Sequence, residues 1–234
     1  MIPIKSESAW RGISDCRTCG LRDIMLFADL NAQDMDQIHA PIDDLLYPAG
    51  EMIYSEGAPV AGVLTIRHGS IKLQRVTQDG RERIIRVLRA GDVVGLEALA
   101  GSVYDSAAVA LTEVSVCRIP VSVIEALDRN SPRMHKRLME KWQRALREAD
   151  DWLAELNCGS ARQRVASFIQ KMRNPDDAQV AILYSREDMG AMLDVKLETV
   201  SREISALVRS GAMAPIDRLG RMYRVLNEEA IQQA

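Results

Sequence analysis

SREDMGAMLDVKLETVSREISALVRSG, residues 185–211, predicts two short helices joined by a tight turn. Ser185 is predicted to cap the first helix, because its hydroxyl can accept a hydrogen bond from a free backbone N–H of the first turn. Residues 194–196 form the predicted turn. The second helix is predicted from about Leu197 to Arg209 and stops at Gly211, a residue type that commonly follows a helix C-terminus.

The second of these helices has two chemically different faces. Val200, Ile204 and Leu207 recur at spacings of four and three, which predicts a buried stripe. The outer face, where residues three and four apart are again neighbours, carries Leu197, Glu198, Ser201 and Arg202. This set suits a DNA major groove, because Arg can pair with guanine, Glu with cytosine, Ser with several bases and Leu with the thymine methyl group. A solvated polar face has the same pattern, so the helix alone leaves both interpretations open.

Two β-prone runs follow in AMAPIDRLGRMYRVLN, residues 212–227, and predict a hairpin, or wing, after a helix-turn-helix. The motif L-E-T-V-S-R at residues 197–202, followed by an apolar helix and S-G-A-M, resembles the recognition helix of the Crp/Fnr superfamily of bacterial transcription regulators. The combination of Glu198, Ser201 and Arg202 resembles the Fnr branch, the anaerobic regulators, more than the cyclic-AMP branch.

The resemblance extends over nearly the whole chain and implies an α+β fold in three parts. Residues 1–120 would form a sensor domain, a cyclic-nucleotide-binding-like β-roll with an N-terminal cysteine segment. Residues 121–158 would form a long dimerisation helix, and residues 159–234 a winged helix-turn-helix DNA-binding domain. The implied function is that of a homodimeric, sequence-specific transcription regulator, not an enzyme, that responds to a redox, oxygen or related signal. Its implied partners are RNA polymerase and double-stranded DNA carrying a TTGAT-like palindrome.

The predicted DNA contacts fall into two groups. Base-reading residues are those of the outer helix face, with Arg202 and Glu198 assigned to the central G·C pair and Ser201 and Leu197 to its flank. Phosphate contacts fix the register on DNA without reading its sequence, and the residues predicted to make them are Ser185, Arg186, Lys196 and Thr199.

Composition and charge add little to the choice of function. Of the 234 residues, 47% are hydrophobic, which supports a substantial core. The formal net charge is −3, but residues 159–234 carry slightly more Lys and Arg than Asp and Glu, which is weak support for DNA contact. No run is long and apolar enough to span a membrane and the N-terminus lacks a signal-peptide core, so we predict a cytoplasmic protein without membrane contact.

The sequence from Leu45 to Pro120 predicts a series of short strands separated by glycines. Asp79-Gly80 is a strong hairpin signal, because both residue types tolerate positive φ. Frequent glycine turns between short strands predict a closed or double-sheet β-roll. The motifs PAGEMIYSEGAP and RAGDVVGLEAL resemble the roll of the same superfamily.

A long helix is predicted after Pro132, with an apolar seam close to a heptad repeat. The predicted seam residues are Met134, Leu138, Trp142, Ala145, Ala149, Trp152 and Leu156. The same stripe could pack on the roll of its own chain. The resemblance implies dimerisation through a helix at this position, so we predict a parallel homodimer.

The resemblance disfavours a cyclic nucleotide as the signal. Cyclic-nucleotide binders of the superfamily place a Gly-Glu pair on the ribose and an Arg, just before Ser/Thr-Ala, on the phosphate. Here Asp105 stands where that Arg is expected, and its carboxylate would repel a cyclic phosphate. Glu97 lies near the ribose position but lacks its partner.

Cysteines offer a second signal site. Cys16, Cys19 and Cys117 resemble positions that hold an oxygen-labile iron–sulfur cluster in the Fnr branch. Four thiolates are the ordinary ligand set, and Met25 stands where the resemblance wants another cysteine. The alternatives are that Cys117 is a core residue and that Cys16-x-x-Cys19 is a relic or a redox-responsive dithiol. Cys158 is predicted to be too distant to serve.

Three further alternatives remain at this point. The roll could hold haem, with His39, His68, His135 or a methionine as axial ligand, although no spacing favours it. A cupin-like metalloenzyme would need a His/Glu set on the strands, where only His68 is found. The chain could also be a non-catalytic module that binds haem or a small molecule and whose C-terminal domain mainly contacts protein.

Overall fold

Short strands separated by glycine turns form the roll predicted for the N-terminal half. The computed structural model of the protein describes residues 10–11, 19–174 and 177–232. The strands of the roll are β1 (Trp10–Arg11), β2 (Ile42–Tyr47), β3 (Met52–Tyr54), β4 (Val63–His68), β5 (Ser70–Val76), β6 (Glu82–Arg89), β7 (Val93–Val94), β8 (Ala107–Ala110) and β9 (Val114–Ile119). They form two sheets, in the orders β1-β2-β9-β4-β7 and β3-β8-β5-β6. β1 runs parallel to β2, whereas β9 is antiparallel to both β2 and β4.

The β5–β6 hairpin turns at Asp79-Gly80, as the sequence predicts. Gly80 has a φ of 79°, and its backbone N–H donates to the carbonyl of Thr77 at 2.9 Å. The N–H of Thr77 in turn donates to the carbonyl of Arg81 at 2.9 Å. Glycine suits the turn because it adopts positive φ without steric cost.

The segment before the roll packs into its core. A 3₁₀ turn at Arg22–Ile24 precedes the short helix α1 (Ala32–Met35). The four apolar residues that the sequence assigns to this segment are all at most 5% exposed: Leu26, Leu30, Met35 and Ile38. Burial opposes ionisation of Asp34, but hydrogen bonds from Arg133 and from the N–H of Asn31 outweigh it and hold the pKa of Asp34 below its ordinary value.

Two helices follow the roll, α2 (Val121–Asn130) and α3 (Pro132–Leu156). The long helix is present as predicted, but some residues of its predicted dimer seam are buried within the single chain. Met134, Leu138 and Leu156 are at most 4% exposed within the single chain, so they cannot form an open seam. The ring of Trp152 packs edge-on against Phe168, with centroids 6.5 Å apart.

The exposed apolar residues of α3 lie on a neighbouring face. Its exposed stripe consists of Met139, Trp142, Leu146 and Leu153, which are 49%, 41%, 64% and 66% exposed. Only Trp142 belongs to the predicted seam, while Ala145 and Ala149 are half-buried. The seam is therefore corrected: a periodicity of three and four locates apolar residues, but the roll has already covered Met134 and Leu138.

The C-terminal elements form a helical unit with a small sheet. The elements are α4 (Ala161–Lys171), β10 (Arg173–Asn174), β11 (Asp177–Ile182), α5 (Arg186–Leu193), α6 (Leu197–Arg209), β12 (Met213–Pro215), β13 (Met222–Val225) and α7 (Glu228–Gln232). The sheet order is β10-β11-β13-β12. These elements, with the roll and α3, confirm the predicted α+β fold with a C-terminal winged helix-turn-helix.

Contacts divide the chain into two compact units. The first contains the described residues up to Arg75 together with Ile85–Arg147, and the second contains Val76–Ile84 together with the described residues from Glu148 onward. The division falls within α3, whereas the sequence places domain limits at residues 120 and 158.

The tip of the β5–β6 hairpin belongs to the second unit and carries Arg83. Its guanidinium forms an ion pair with Asp194 between α5 and α6, and it donates to Oδ1 of Asn157 at 3.0 Å. One side chain therefore links the hairpin to the helix-turn-helix turn and to the residue that follows α3.

Candidate functional site

The helix-turn-helix predicted at residues 185–211 is confirmed. The Ser185 hydroxyl accepts from the backbone N–H of Asp188 at 3.0 Å, so Ser185 is the N-cap of α5. Asp194 closes α5 in the left-handed conformation, with a φ of 54°. The inner stripe of α6 is buried as predicted, because Val200, Ile204 and Leu207 are at most 3% exposed.

Gly190 is a structural requirement of this turn that the sequence reasoning missed. A Cβ added to Gly190 would lie 2.7 Å from the carbonyl oxygen of Val195. The backbone N–H of Val195 donates to the carbonyl of Gly190 at 3.1 Å. The two backbones can therefore approach this closely only if residue 190 lacks a side chain. A glycine inside an otherwise helical pattern was the available signal.

Gly190→Ala is expected to destabilise the second unit by about 1–3 kcal/mol, because the added methyl group displaces the turn that aims α6. Urea unfolding followed by circular dichroism measures the change. Gly101→Ala is the control, because its Cβ would meet its nearest atom at an ordinary 3.4 Å and its φ is not positive. An unchanged unfolding midpoint for Gly190→Ala would contradict the close approach.

The outer face of α6 projects most of the predicted base-reading side chains. Leu197 is 44% exposed, Glu198 is exposed and the Arg202 side chain is 67% exposed. Ser201 lies half-buried on the same face. Nε of Arg202 contacts Oε1 of Glu203 at 3.3 Å, an exposed ion pair of the kind that contributes little to stability. The guanidinium can therefore leave this partner at low cost.

The residues predicted to contact phosphates differ in how exposed their side chains are. Lys196 is exposed at the N-terminus of α6, and Thr199 is half-buried in its first turn. The Ser185 hydroxyl is engaged as the cap and also donates to Oδ2 of Asp188 at 2.6 Å. Lys196 is thus the predicted phosphate contact with the most accessible side chain.

Arg186 differs from the expectation, because its guanidinium is used within the fold. Nη2 donates to the hydroxyl of Tyr223 at 2.6 Å and to the carbonyl of Gly220 at 3.3 Å. The guanidinium carbon also lies 5.6 Å from the centre of the Tyr223 ring. Arg186 therefore fixes the wing against α5, a role that the sequence could not show because the wing is distant in the chain.

The wing adds basic residues that the sequence reasoning did not select. Its turn is shaped by Asp217, whose Oδ1 accepts from the backbone N–H groups of Arg221 and Met222, each at 2.9 Å. The hydrogen bond from Met222 is the main cause that holds the pKa of Asp217 below its ordinary value. Leu219 at the tip is 81% exposed. The exposed basic side chains of the wing are Arg218, Arg221 and Arg224.

The pocket at the position expected for a cyclic nucleotide has acidic walls. Its polar side chains are Arg86, Glu97 and Asp105, and Trp142 and Ala145 of α3 also line it. Two carboxylates beside one guanidinium disfavour a phosphate on electrostatic grounds. Near this region the ring of Tyr54 stacks on Tyr104 at 3.7 Å, and burial raises the pKa of Tyr54.

Two of the predicted metal ligands share one cavity. Cys19 is half-buried and Cys117 is 7% exposed, and both line a small, mostly apolar cavity. The same cavity is lined by Met25, Thr65 and Arg67. Cys16 lies outside the described residues. Cys158 is exposed in the second unit and does not line this cavity. Within the described residues, no group of three or more His, Cys, Asp or Glu side chains could hold a metal ion.

A winged helix-turn-helix with an exposed polar recognition face defines a DNA-binding protein, and comparison with known families agrees. Residues 45–131 match the cyclic nucleotide-binding domain, and residues 163–234 match the Crp-like helix-turn-helix domain. The chain belongs to the Crp/Fnr family. In the part of the chain that the structure describes, no helix is long and apolar enough to cross a membrane.

Particular relatives are similar along most of their length. Electron transport regulator A of Shewanella oneidensis is 27% identical over 207 residues, which cover 84% of this chain and 81% of that protein. The fumarate and nitrate reduction regulatory protein of Escherichia coli K12 is 26% identical over 225 residues, 93% of this chain and 89% of that protein. The structure of FixK2 from Bradyrhizobium japonicum superposes with a TM-score of 0.73 and 28% identity, over 82% of this chain and 96% of that one. The chain is therefore a Crp/Fnr-type transcription regulator with a helix-turn-helix DNA-binding domain.

Proposed function

We propose that the protein binds a TTGAT-like palindrome as a homodimer, with α6 of each subunit in a major groove. The exposed face of α6 carries this proposal. Leu197, Glu198 and Arg202 project from a helix whose opposite stripe is buried, and their side chains match base-edge chemistry. Lys196 lies at the N-terminus of the same helix, where a phosphate is favoured by the helix dipole.

The exposed stripe of α3 supports the proposed dimer. Met139 and Leu146 are seven residues apart, and Leu146 and Leu153 repeat that interval, with Trp142 between the first two. A spacing of seven is the period of a two-stranded coiled coil. An apolar stripe of this kind on a water-facing helix is self-complementary about a two-fold axis. Such a dimer presents two recognition helices to half-sites about one helical turn apart.

Fluorescence anisotropy tests this function. The full chain is titrated onto a labelled duplex with the TTGAT palindrome and onto a scrambled duplex of the same composition at one fixed salt concentration. We expect the palindrome to bind at least about 1,000-fold more tightly than the scrambled duplex. Equal binding to both duplexes would overturn the proposal, because phosphate contacts alone do not read sequence.

We further propose that the signal is redox or oxygen and is received at the cavity lined by Cys19 and Cys117. This proposal is supported by the shared cavity and by the resemblance to the Fnr branch. The described residues do not complete an iron–sulfur ligand set, because a cluster ordinarily takes four thiolates and Met25 occupies one of the expected positions. The buried thioether of Met25 is a poor substitute for a thiolate ligand. The thiols themselves are therefore the proposed signal-responsive groups.

Cys117→Ser is expected to abolish the difference in palindrome affinity between anaerobic and air-exposed protein. A serine hydroxyl neither binds soft metals nor undergoes thiol oxidation, so the cavity loses its redox chemistry. Cys158→Ser is the matched control, because Cys158 is exposed and does not line the cavity. A Cys117→Ser protein that responds to air as the wild type does would contradict the proposal.

The visible spectrum of the anaerobic protein distinguishes the possible chemistries. A brown chromophore that bleaches in air would indicate an iron–sulfur cluster, and a Soret band would indicate haem. Either result would overturn a purely thiol-based signal.

A further inference from the structure

Helix α3 holds the backbone of the segment that follows Cys19. Arg137 donates from Nη2 to the carbonyl of Asp23 at 2.9 Å. It also donates from Nε and Nη2 to the carbonyl of Met25, at 3.3 and 3.2 Å. The Arg137 side chain is 18% exposed; its hydrogen bonds to Met25 are partly buried, and its hydrogen bond to Asp23 is exposed. One guanidinium therefore fixes both ends of a three-residue stretch.

Lys141, one helical turn further along α3, holds the residue between them. Its Nζ donates to the carbonyl of Ile24 at 2.9 Å and to that of Gly91 at 2.5 Å. Lys141 is 8% exposed, and a buried ammonium depends on such acceptors because its hydration shell is lost. Three consecutive carbonyls thus accept hydrogen bonds from one face of α3, and a shift of the segment would remove the Ile24 acceptor from the Lys141 ammonium. The clamp is defined here as Arg137 and Lys141.

The clamped segment also forms a wall of the cysteine cavity. Cys19 and Met25 both line the cavity that contains Cys117. Between them lies the 3₁₀ turn Arg22–Ile24, and the carbonyl of Cys19 accepts from the N–H of Arg22 at 3.0 Å. A change in the cavity that displaces Cys19 or Met25 therefore acts on a short, hydrogen-bonded backbone whose next carbonyls are held by the clamp.

The turns of α3 that carry the clamp also carry exposed apolar side chains. Met139 lies between Arg137 and Lys141 in sequence, and Trp142 follows Lys141 directly. Successive helical residues point about 100° apart, so the clamp faces the segment while Met139 and Trp142 face solvent. A rotation or shift of this part of α3 would move both faces together.

We propose that Arg137 and Lys141 are positioning residues that couple the state of the cysteine cavity to the exposed stripe of α3. This inference rests on the proposed function, because it assigns to the clamp the transfer of the redox signal to the dimer surface. By thermodynamic linkage, the effect of dimerisation on the conformational equilibrium of the segment must then equal, in free energy, the effect of the segment on dimerisation.

Thiol labelling tests the coupling without any DNA. Trypsin places Cys19 in the peptide 18–22 and Cys117 in the peptide 90–118, so mass spectrometry follows each alkylation rate separately. Lys141→Met keeps the apolar stem and removes the donors, and it is expected to raise both rates about tenfold by opening the segment. Lys136→Met is the matched control on the same helix, because the Lys136 side chain is 80% exposed. Should Lys141→Met fail to fold, Arg137→Gln removes the other half of the clamp.

The second readout separates coupling from simple loosening. In a monomeric Leu146→Glu protein, the alkylation rates are expected to differ from those of the dimer, and in the background of Lys141→Met this difference is expected to vanish. Equal alkylation rates in the wild type and in Lys141→Met would overturn the inference. Equal alkylation rates in the wild-type dimer and in the monomeric Leu146→Glu protein would also overturn it. If the alkylation rates change as expected but exposure to air does not change the DNA affinity, the coupling through the clamp is supported and the proposed redox signal is rejected.

Discussion

Leu146→Glu is expected to convert the protein to a monomer at micromolar concentration and to weaken binding to the palindrome about 100-fold. Leu146 is 64% exposed in the middle of the stripe on α3, so the substitution does not disturb the core of one chain. In a two-fold dimer the new carboxylate would face its own copy across an apolar contact. The large loss of affinity follows because one half-site no longer holds the other recognition helix in place. Sedimentation velocity measures the oligomeric state, and anisotropy measures the affinity.

Leu46→Glu is the control for this experiment. Leu46 is 70% exposed on β2 of the roll, so it receives the same chemical change outside α3. It should remain a dimer with the affinity of the wild type. A Leu146→Glu protein that still sediments as a dimer would show that the subunits associate through another surface.

The second large effect is expected from Arg202→Ala. Removing this guanidinium should cost about 1–3 kcal/mol at the base pair it reads in each half-site, and the preference for G·C at that position should be lost. The palindrome and a variant substituted at the central pair of each half-site should then bind with similar affinity. Competition between these duplexes at constant salt measures the loss.

Arg209→Ala is the control that distinguishes the loss of a base contact from the loss of one positive charge. Arg209 is exposed in the last turn of the same helix, so its removal changes the net charge equally. We expect Arg209→Ala to leave the preference among duplexes unchanged. If Arg202→Ala instead weakens every duplex by the same factor, Arg202 contacts phosphates and does not read bases.

The helix-turn-helix could be predicted because its determinants are local. Ser185 caps α5 through a hydrogen bond that spans three residues, and Val200, Ile204 and Leu207 reveal their shared face by spacing alone. The hairpin at Asp79-Gly80 was equally readable, because backbone φ preference acts within the turn itself. None of these features needs knowledge of a distant contact.

The faces of α3 could not be assigned in this way. The helix is apolar on more than one side, and periodicity does not say which side its own roll will cover. The core takes Met134 and Leu138, so Met139 and Leu146 are left exposed. The role of Arg186 within the fold was not predictable for the same reason, because its partner Tyr223 lies on a strand 37 residues further along the chain.

The cavity that unites Cys19 with Cys117 is also a long-range outcome. The sequence could match each cysteine to a family position, but only the packing of the N-terminal segment against β4 and β9 brings them to one wall. The clamp could not be predicted for another reason: sequence spacing does not distinguish Arg137 and Lys141 from the other charged residues of α3. Their acceptors are backbone carbonyls, which leave no trace in a pattern of side chains.

The ion pair between Arg83 and Asp194 sets a rule for building chimaeras from this chain and its relatives. A hybrid gene joined just after α3 would inherit the hairpin tip from one parent and the α5–α6 turn from the other. Asn157, which also accepts a hydrogen bond from Arg83 and directly follows α3, would come with the second parent. Exchanges that keep residues 76–84 with the C-terminal parent preserve the native partner of Asp194, although that parent's portion is then discontinuous in sequence.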